Sequence, residues 1–256
     1  MDFTIQTYKE LLQVLKEQKY AFQTFEEFIK NPKKKVVILR HDVDLLPYHS
    51  LRFAKIQNEL GIKGVYYFRA VPESWDEKVI KEIVTLGHEV GYHYETMDTA
   101  NGDIDKGWDQ FKDNLNELRK VTQVSTVCMH GSPRSKYDNK DIWKKYDYKS
   151  LGIIGEPYYD IDFNQVLYLT DTGRMWDGYK VSVRDKVNTT YLQTYHTTQE
   201  IIEAINNCNT PHQIMFNFHP QRWHDNAIQW TKELILQNAK NLIKKYFFVS
   251  KKQGMD

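Results

Sequence analysis

Residues 36–44 read VVILRHDVD. Four apolar residues run straight into Arg40, His41, Asp42, Val43 and Asp44. An apolar run of strand length fits a strand buried on both faces, as in a parallel sheet covered by helices. Burying a charge is costly unless a partner or a metal compensates it. The ionisable knot is therefore either the open end of a working strand or a structural ion network.

Outward from this stretch the chain alternates. Strands are expected at 36–40, 64–69, 88–93 and 124–129, with helices at 48–60, 75–86 and 105–120 between and after them. Beyond residue 150 come two short strands, IIGEPYY (153–159) and QVLYLTD (165–171), then a helix at 197–207 and a strand at 213–218. A helix at about 226–244 ends the pattern, with Ile235, Ala239 and Leu242 spaced as a buried stripe. Strands alternating with helices of this length mean βαβ units and parallel pairing. The expected fold is α/β, a distorted (β/α) barrel of about seven parallel strands, with an open doubly wound sheet as the rival. No GxGxxG or GxxxxGK[ST] follows a strand, which weakens the nucleotide-binding version. Residues 1–34 read as a helical extension carrying two short amphipathic helices (TYKELLQVLKEQ and TFEEFIK), and 35–256 as one barrel.

Composition bounds the function. With 41% apolar and 27% charged residues the chain is globular, and a net charge of +1 gives no general pull toward nucleic acid. The longest apolar runs are strand length, so no membrane span is expected. The N-terminus lacks the apolar region of a signal peptide, and cytoplasmic location with both thiols, Cys128 and Cys208, reduced is the expectation. Oligomeric state is not legible.

In parallel α/β folds the active site lies at the carboxyl ends of the strands. Here those ends read RHDVD, GHEVGYHYE, CMHGSPRSKYDN and NFHPQRW, each with at least one histidine of only nine in the chain. Asp42 and Asp44 are two apart and point the same way on an extended strand, so a cation or proton belongs between them. The plainer alternative is that one of them caps a helix or pairs with Arg40. His93 suits a metal, whereas His88, which opens its strand, reads as a satisfied core residue. His219 is either a general acid or packed between Phe216 and Phe218. His130 and Ser132, with Arg134, Arg222 and Trp223, are the expected substrate-binding residues, suited to a sugar or an anionic sugar.

VVILRHDVD followed about fifty residues later by GHEVGYHYE resembles the polysaccharide deacetylase superfamily (NodB-like, carbohydrate esterase family 4). MHGSPRSKYDN and FHPQRW look like a subgroup found among bacterial surface-polysaccharide biosynthesis proteins. The resemblance implies a metal-dependent deacetylase of N-acetylated sugars, with a divalent metal (zinc, or nickel or cobalt) and a sugar nucleotide or glycan intermediate as substrate. It implies Asp42 as catalytic base, Asp44 and His93 as metal ligands and His219 as general acid. An alternative alignment puts His41 at the base and Asp42 on the metal. The family's second metal histidine is replaced by Met97, a poor ligand for a hard cation. Glu95 is the nearest substitute, with Asp98 and His130 behind it. The family's arginine-proline motif is replaced by His130-Gly-Ser-Pro133. A second reading follows from the Met97 departure, a metal-free barrel that binds glycan or a partner, and a third keeps the enzyme but changes the reaction, to hydrolysis of another C–N bond such as a formamide or cyclic amide.

Overall fold

The computed structural model describes residues 1–132, 135–176 and 185–244. Its elements run α1 (Ile5–Glu17), β1 (Ala21–Gln23), α2 (Phe25–Lys30), β2 (Val36–Val43), α3 (Pro47–Glu59), β3 (Val65–Phe68), α4 (Glu77–Thr85) and β4 (Glu89–Tyr94). Then come α5 (Thr96–Thr99), α6 (Ile104–Val121), β5 (Val127–Met129), α7 (Pro157–Asp160), β6 (Leu167–Thr170), α8 (Thr198–Asn206), β7 (Gln213–Phe218) and α9 (Ala227–Lys244). Seven strands form one sheet, every pairing parallel, in the order β5-β4-β3-β2-β7-β6. β1 adds to the lower half of β2, pairing Ala21–Gln23 with Val36–Ile38, while β3 takes the upper half. The sheet curls into a half-barrel, as the alternation of strands and helices predicts.

The apolar run of β2 is buried along its whole length because both faces pack. Val37, Leu39 and Val43 join the outer core against the helices, alongside Tyr8, Leu11 and Leu12 of α1 and Phe53 of α3. Val36 and Ile38 point the other way, into an inner core with Val65, Tyr67, Cys128 and Met215. Inside the barrel, apolar residues fill the lower part, and the upper part is left for polar side chains.

Three expectations need correcting. The segment read as purely helical before the barrel contains β1, so part of residues 1–34 belongs to the sheet. IIGEPYY is not a strand. Only Gly155 forms a bridge, to Thr126, and Pro157 then starts α7 with Glu156 capping it through the Tyr158 N–H. Finally, the stripe on α9 is turned outward, with Ile235 at 64% and Leu242 at 58% exposure. The buried face is polar: Gln237 donates to Asn241, and Asn241 donates to the Gly173 carbonyl. Helical spacing marks a face, but hydrogen bonding to the loop after β6 decides which face turns in.

Two predictions follow from the interior. Gly91 lies beneath the Tyr67 ring, which Thr126 holds at 3.1 Å, and an added Cβ would meet that ring and the Thr126 carbonyl oxygen at 2.8 Å. Gly91→Ala should therefore destabilise by about 1–3 kcal/mol, read as a lowered thermal midpoint. Glu156 is wholly buried and accepts from the Met129 and Tyr158 N–H groups and the Tyr94 hydroxyl. Burial pushes its carboxyl up to about 7, against the pull of those N–H groups and Arg40. A raised acid stabilises most below its unfolded value, near 4.5 here, and loses that contribution as pH rises through about 7. Between pH 5 and 8 the wild type should lose about 2–3 kcal/mol more than Glu156→Gln, measured by urea unfolding.

Candidate functional site

The inward row of β2 continues past Ile38 with Arg40, Asp42 and, one step beyond the strand, Asp44. Arg40 grips Asp42 with two hydrogen bonds, Nε to Oδ1 at 2.8 Å and Nη2 to Oδ2 at 2.7 Å. Asn217 on the neighbouring β7 donates to Oδ2 at 3.1 Å. Burial alone would push the Asp42 carboxyl up, but Arg40, helped by His93, outweighs it and holds Asp42 well below the ordinary range. Asp42 is therefore ionised at neutral pH.

His41 faces the helices instead. Its Nδ1 lies 3.0 Å from the Val65 carbonyl oxygen, and Tyr8 and Gln57 meet its Nε2. Burial depresses it to about 3. Strand alternation thus separates His41 from the mouth and removes the alignment that would make it the base. His88 is likewise structural, between the Gly64 N–H and the Ala54 carbonyl.

Three imidazoles converge on Asp44. His93 Nε2 lies 3.7 Å and His130 Nε2 3.6 Å from Oδ1, and His219 Nε2 lies 3.8 Å from Oδ2. Each ring is fixed from behind through Nδ1. His93 is held by the Cys128 carbonyl at 2.9 Å and His219 by Asp171 at 2.5 Å. His130 has Glu95 at 2.9 Å, an ion-pair contact rather than a regular hydrogen bond. A carbonyl only accepts, so His93 carries its proton on Nδ1 and turns a bare Nε2 to the mouth. Burial holds His93 down at about 4, against the pull of Asp42 and Asp44. For His130 burial also pulls downward, but Glu95 and Asp44 prevail and raise it.

Asp44 Oδ1 is buried and accepts no hydrogen bond. A buried bare carboxylate oxygen facing two imidazole nitrogens is what a cation site requires, and Asp44, His93 and His130 form a group that could hold a metal ion. Ligands of a tetrahedral zinc lie roughly 3.3–3.4 Å apart, so a contraction of a few tenths of an ångström would complete the fit. A second grouping, Asp42 with His93 and Cys128, is weaker chemically because Arg40 already occupies both Asp42 oxygens.

Glu95 does not point at the metal position. Arg69, at the end of β3, takes both its oxygens at 2.8–3.1 Å and donates to the Asp44 carbonyl at 3.0 Å. Burial would raise Glu95, yet His130 and Arg69 hold it down at about 2. Its place is behind His130, a correction to its reading as a ligand. Met97 is buried in the outer core, and Asp98 is engaged with Asn139 and Ser135.

On the opposite wall Asp171 organises His219. It accepts the His219 backbone N–H at 2.9 Å, Arg222 Nη1 at 3.0 Å and the Trp223 indole N–H at 2.7 Å. Trp223 is wholly buried in an aromatic cluster with Phe3, Tyr8 and Phe218. It backs Asp171 and cannot stack on a sugar, which corrects its reading as a substrate-binding residue. Arg222 and Ser132 do line the cavity, of about 170 Å³, that opens above Asp44. Arg134 lies outside the described residues. Asp171 and Arg69 went unnoticed in the sequence, although YLTD and YYFR carry the same signal as the other strands, a polar residue just past an apolar run.

No family model and no curated protein matches the chain. Among solved structures it is similar to the Streptococcus pyogenes deacetylase PplD, at 20% identity and TM-score 0.46, covering 56% of this chain and 70% of that one. It is similar to a carbohydrate esterase family 4 pseudoenzyme from Bacillus anthracis, at 16% identity and TM-score 0.46, covering 84% of this chain and 63% of that one. A family 4 carbohydrate esterase from Bacillus anthracis matches at 12% identity and TM-score 0.44 over 96% of this chain and 92% of that one. Family 4 carbohydrate esterases, the NodB-like group that the motifs of this chain resemble, are what the chain is similar to in structure.

Proposed function

We propose that this protein is a metal-dependent hydrolase that removes the acetyl group from an N-acetylated sugar during surface-polysaccharide assembly. The observation that carries the reading is the bare buried oxygen of Asp44 facing the Nε2 atoms of His93 and His130, with an ionised Asp42 beside them. Asp44, His93 and His130 would hold one divalent ion, with zinc, nickel and cobalt the suited candidates. When bound it supplies the Lewis acidity that polarises an amide carbonyl and makes water nucleophilic at neutral pH. His130 takes the ligand role that Met97 leaves vacant.

The remaining roles belong to the chain. Asp42, ionised and oriented by Arg40 and Asn217, accepts the proton of the attacking water. His219 stands across Asp44 from His93, with Asp171 as counter-charge for its imidazolium form. It donates a proton to the sugar nitrogen as the C–N bond breaks, leaving acetate and an amine. The proposed substrate is a sugar nucleotide or lipid-linked intermediate.

Purified protein should hold about one divalent ion per chain, lost in Asp44→Ala and His130→Ala, as read by elemental analysis. Asp42→Asn should keep the ion and lower acetate release by about 10²–10⁴-fold, with circular dichroism verifying the fold because Arg40 loses its partner. Absence of acetate from a panel of N-acetylated sugar nucleotides and lipid-linked sugars would overturn the assignment. Glu95→Gln frees the His130 ring from its anchor and should weaken metal binding by about 10–100-fold, measured by chelator competition.

A further inference from the structure

The cavity above Asp44 is lined by three cationic side chains, Arg40, Arg222 and Lys244. Arg40 is 1% exposed, and two of its guanidinium nitrogens serve Asp42. The third, Nη1, is buried without any hydrogen-bond partner, on a residue that lines the cavity. A buried guanidinium N–H left unmade is costly and calls for an acceptor. Arg222 and Lys244 line the same space. Arg222 spends Nη1 on Asp171, and Lys244, at the end of α9, is drawn down to about 8 by burial and by Arg222 and Lys240 beside it.

The acids of the cavity are already engaged. Asp42 belongs to Arg40, and Asp44 belongs to the histidines. Asp185 accepts hydroxyls from Tyr158 at 2.9 Å, Thr170 at 2.7 Å, Thr172 at 2.6 Å and from Tyr168. Three cations and three carboxylates balance in the lining, with Asp171 behind Arg222 as a fourth acid, so a divalent ion at Asp44 would leave the site with one net positive charge. A neutral sugar answers none of that excess.

We infer that the molecule bound here carries an anionic substituent, a carboxylate or a phosphate, received by Arg40, Arg222 and Lys244. The inference deepens the deacetylase reading and rests on it for the sugar, but the anion preference is measurable without turnover. Tyr158 packs 5.3 Å from the Arg40 guanidinium and the two Asp42 hydrogen bonds fix its plane, which leaves Nη1 as the nitrogen still to be matched.

The test compares three probes on the zinc-loaded protein by calorimetry: N-acetylglucosamine, its 1-phosphate and its C6 uronic acid, with inorganic phosphate as a control. At least one charged sugar should bind about tenfold or more tighter than the neutral one, and the preference should shrink with added salt. The 1-phosphate arm distinguishes phosphate from the carboxylate of the uronic acid. Lys244→Gln should cut the preference to about a third or less. Equal affinity for all three sugars, or no measurable binding of any at millimolar concentration, overturns the inference. So does a preference unchanged in Lys244→Gln, since the anion would then be binding the zinc alone. Acetate release is followed in parallel. Acetate from the neutral sugar without charge preference sinks the anion site and spares the hydrolase, whereas charge preference without acetate does the reverse.

Discussion

Two carboxylates two residues apart on the inward row of one strand must each find a positive partner, and the mouth of this barrel is arranged around that requirement. Asp42 finds Arg40 on its own strand. Asp44 finds neither arginine nor lysine among the described side chains, only the Gln221 amide and three imidazoles held so that their Nε2 atoms point at it. The difference divides labour. The carboxylate gripped by a guanidinium is ionised but committed, free to take a proton and unsuited to bind a metal. Its neighbour keeps one bare oxygen, faced by the Nε2 atoms of His93 and His130.

The backing groups carry as much of the design as the site itself. A carbonyl, a glutamate and an aspartate stand behind His93, His130 and His219, and a second tier stands behind those: Arg69 behind Glu95, Arg222 and Trp223 behind Asp171. Ring rotation is removed before any ligand arrives, so little side-chain entropy remains to be lost on binding. The aromatic cluster around Trp223 also keeps water from the rear of Asp171 and preserves the strength of its hydrogen bond with His219.

Much of this was legible in one dimension. Parallel strands follow from their alternation with helices, the polar residues at their ends are read directly, and the common face of Asp42 and Asp44 follows from period-two alternation. What could not be read was lateral adjacency. That β5 lies beside β4, bringing His130 next to His93, is a property of the sheet order. Without it, Glu95 reads as the nearer partner of His93 because it is nearer in sequence. The pairing of Glu95 with Arg69 also crosses strands and gives no local signal. Trp223 and α9 failed for another reason. Sequence spacing identifies an amphipathic face or an aromatic residue near a site, but not which neighbour covers it.

β2 carries Asp42, leads directly into Asp44, and is flanked on one side by β1 and β3. Its other side is covered by β7, which begins only at Gln213. During synthesis one hydrogen-bonding edge of the central strand therefore stays vacant until Gln213–Phe218 has left the ribosome. Such an edge is open to pairing with the wrong strand or another nascent chain. Arg40 and Asp42 place a buried charge pair in the upper half of that edge, and an intruding apolar strand would have to cover it without the Asn217 amide that completes it in the native sheet.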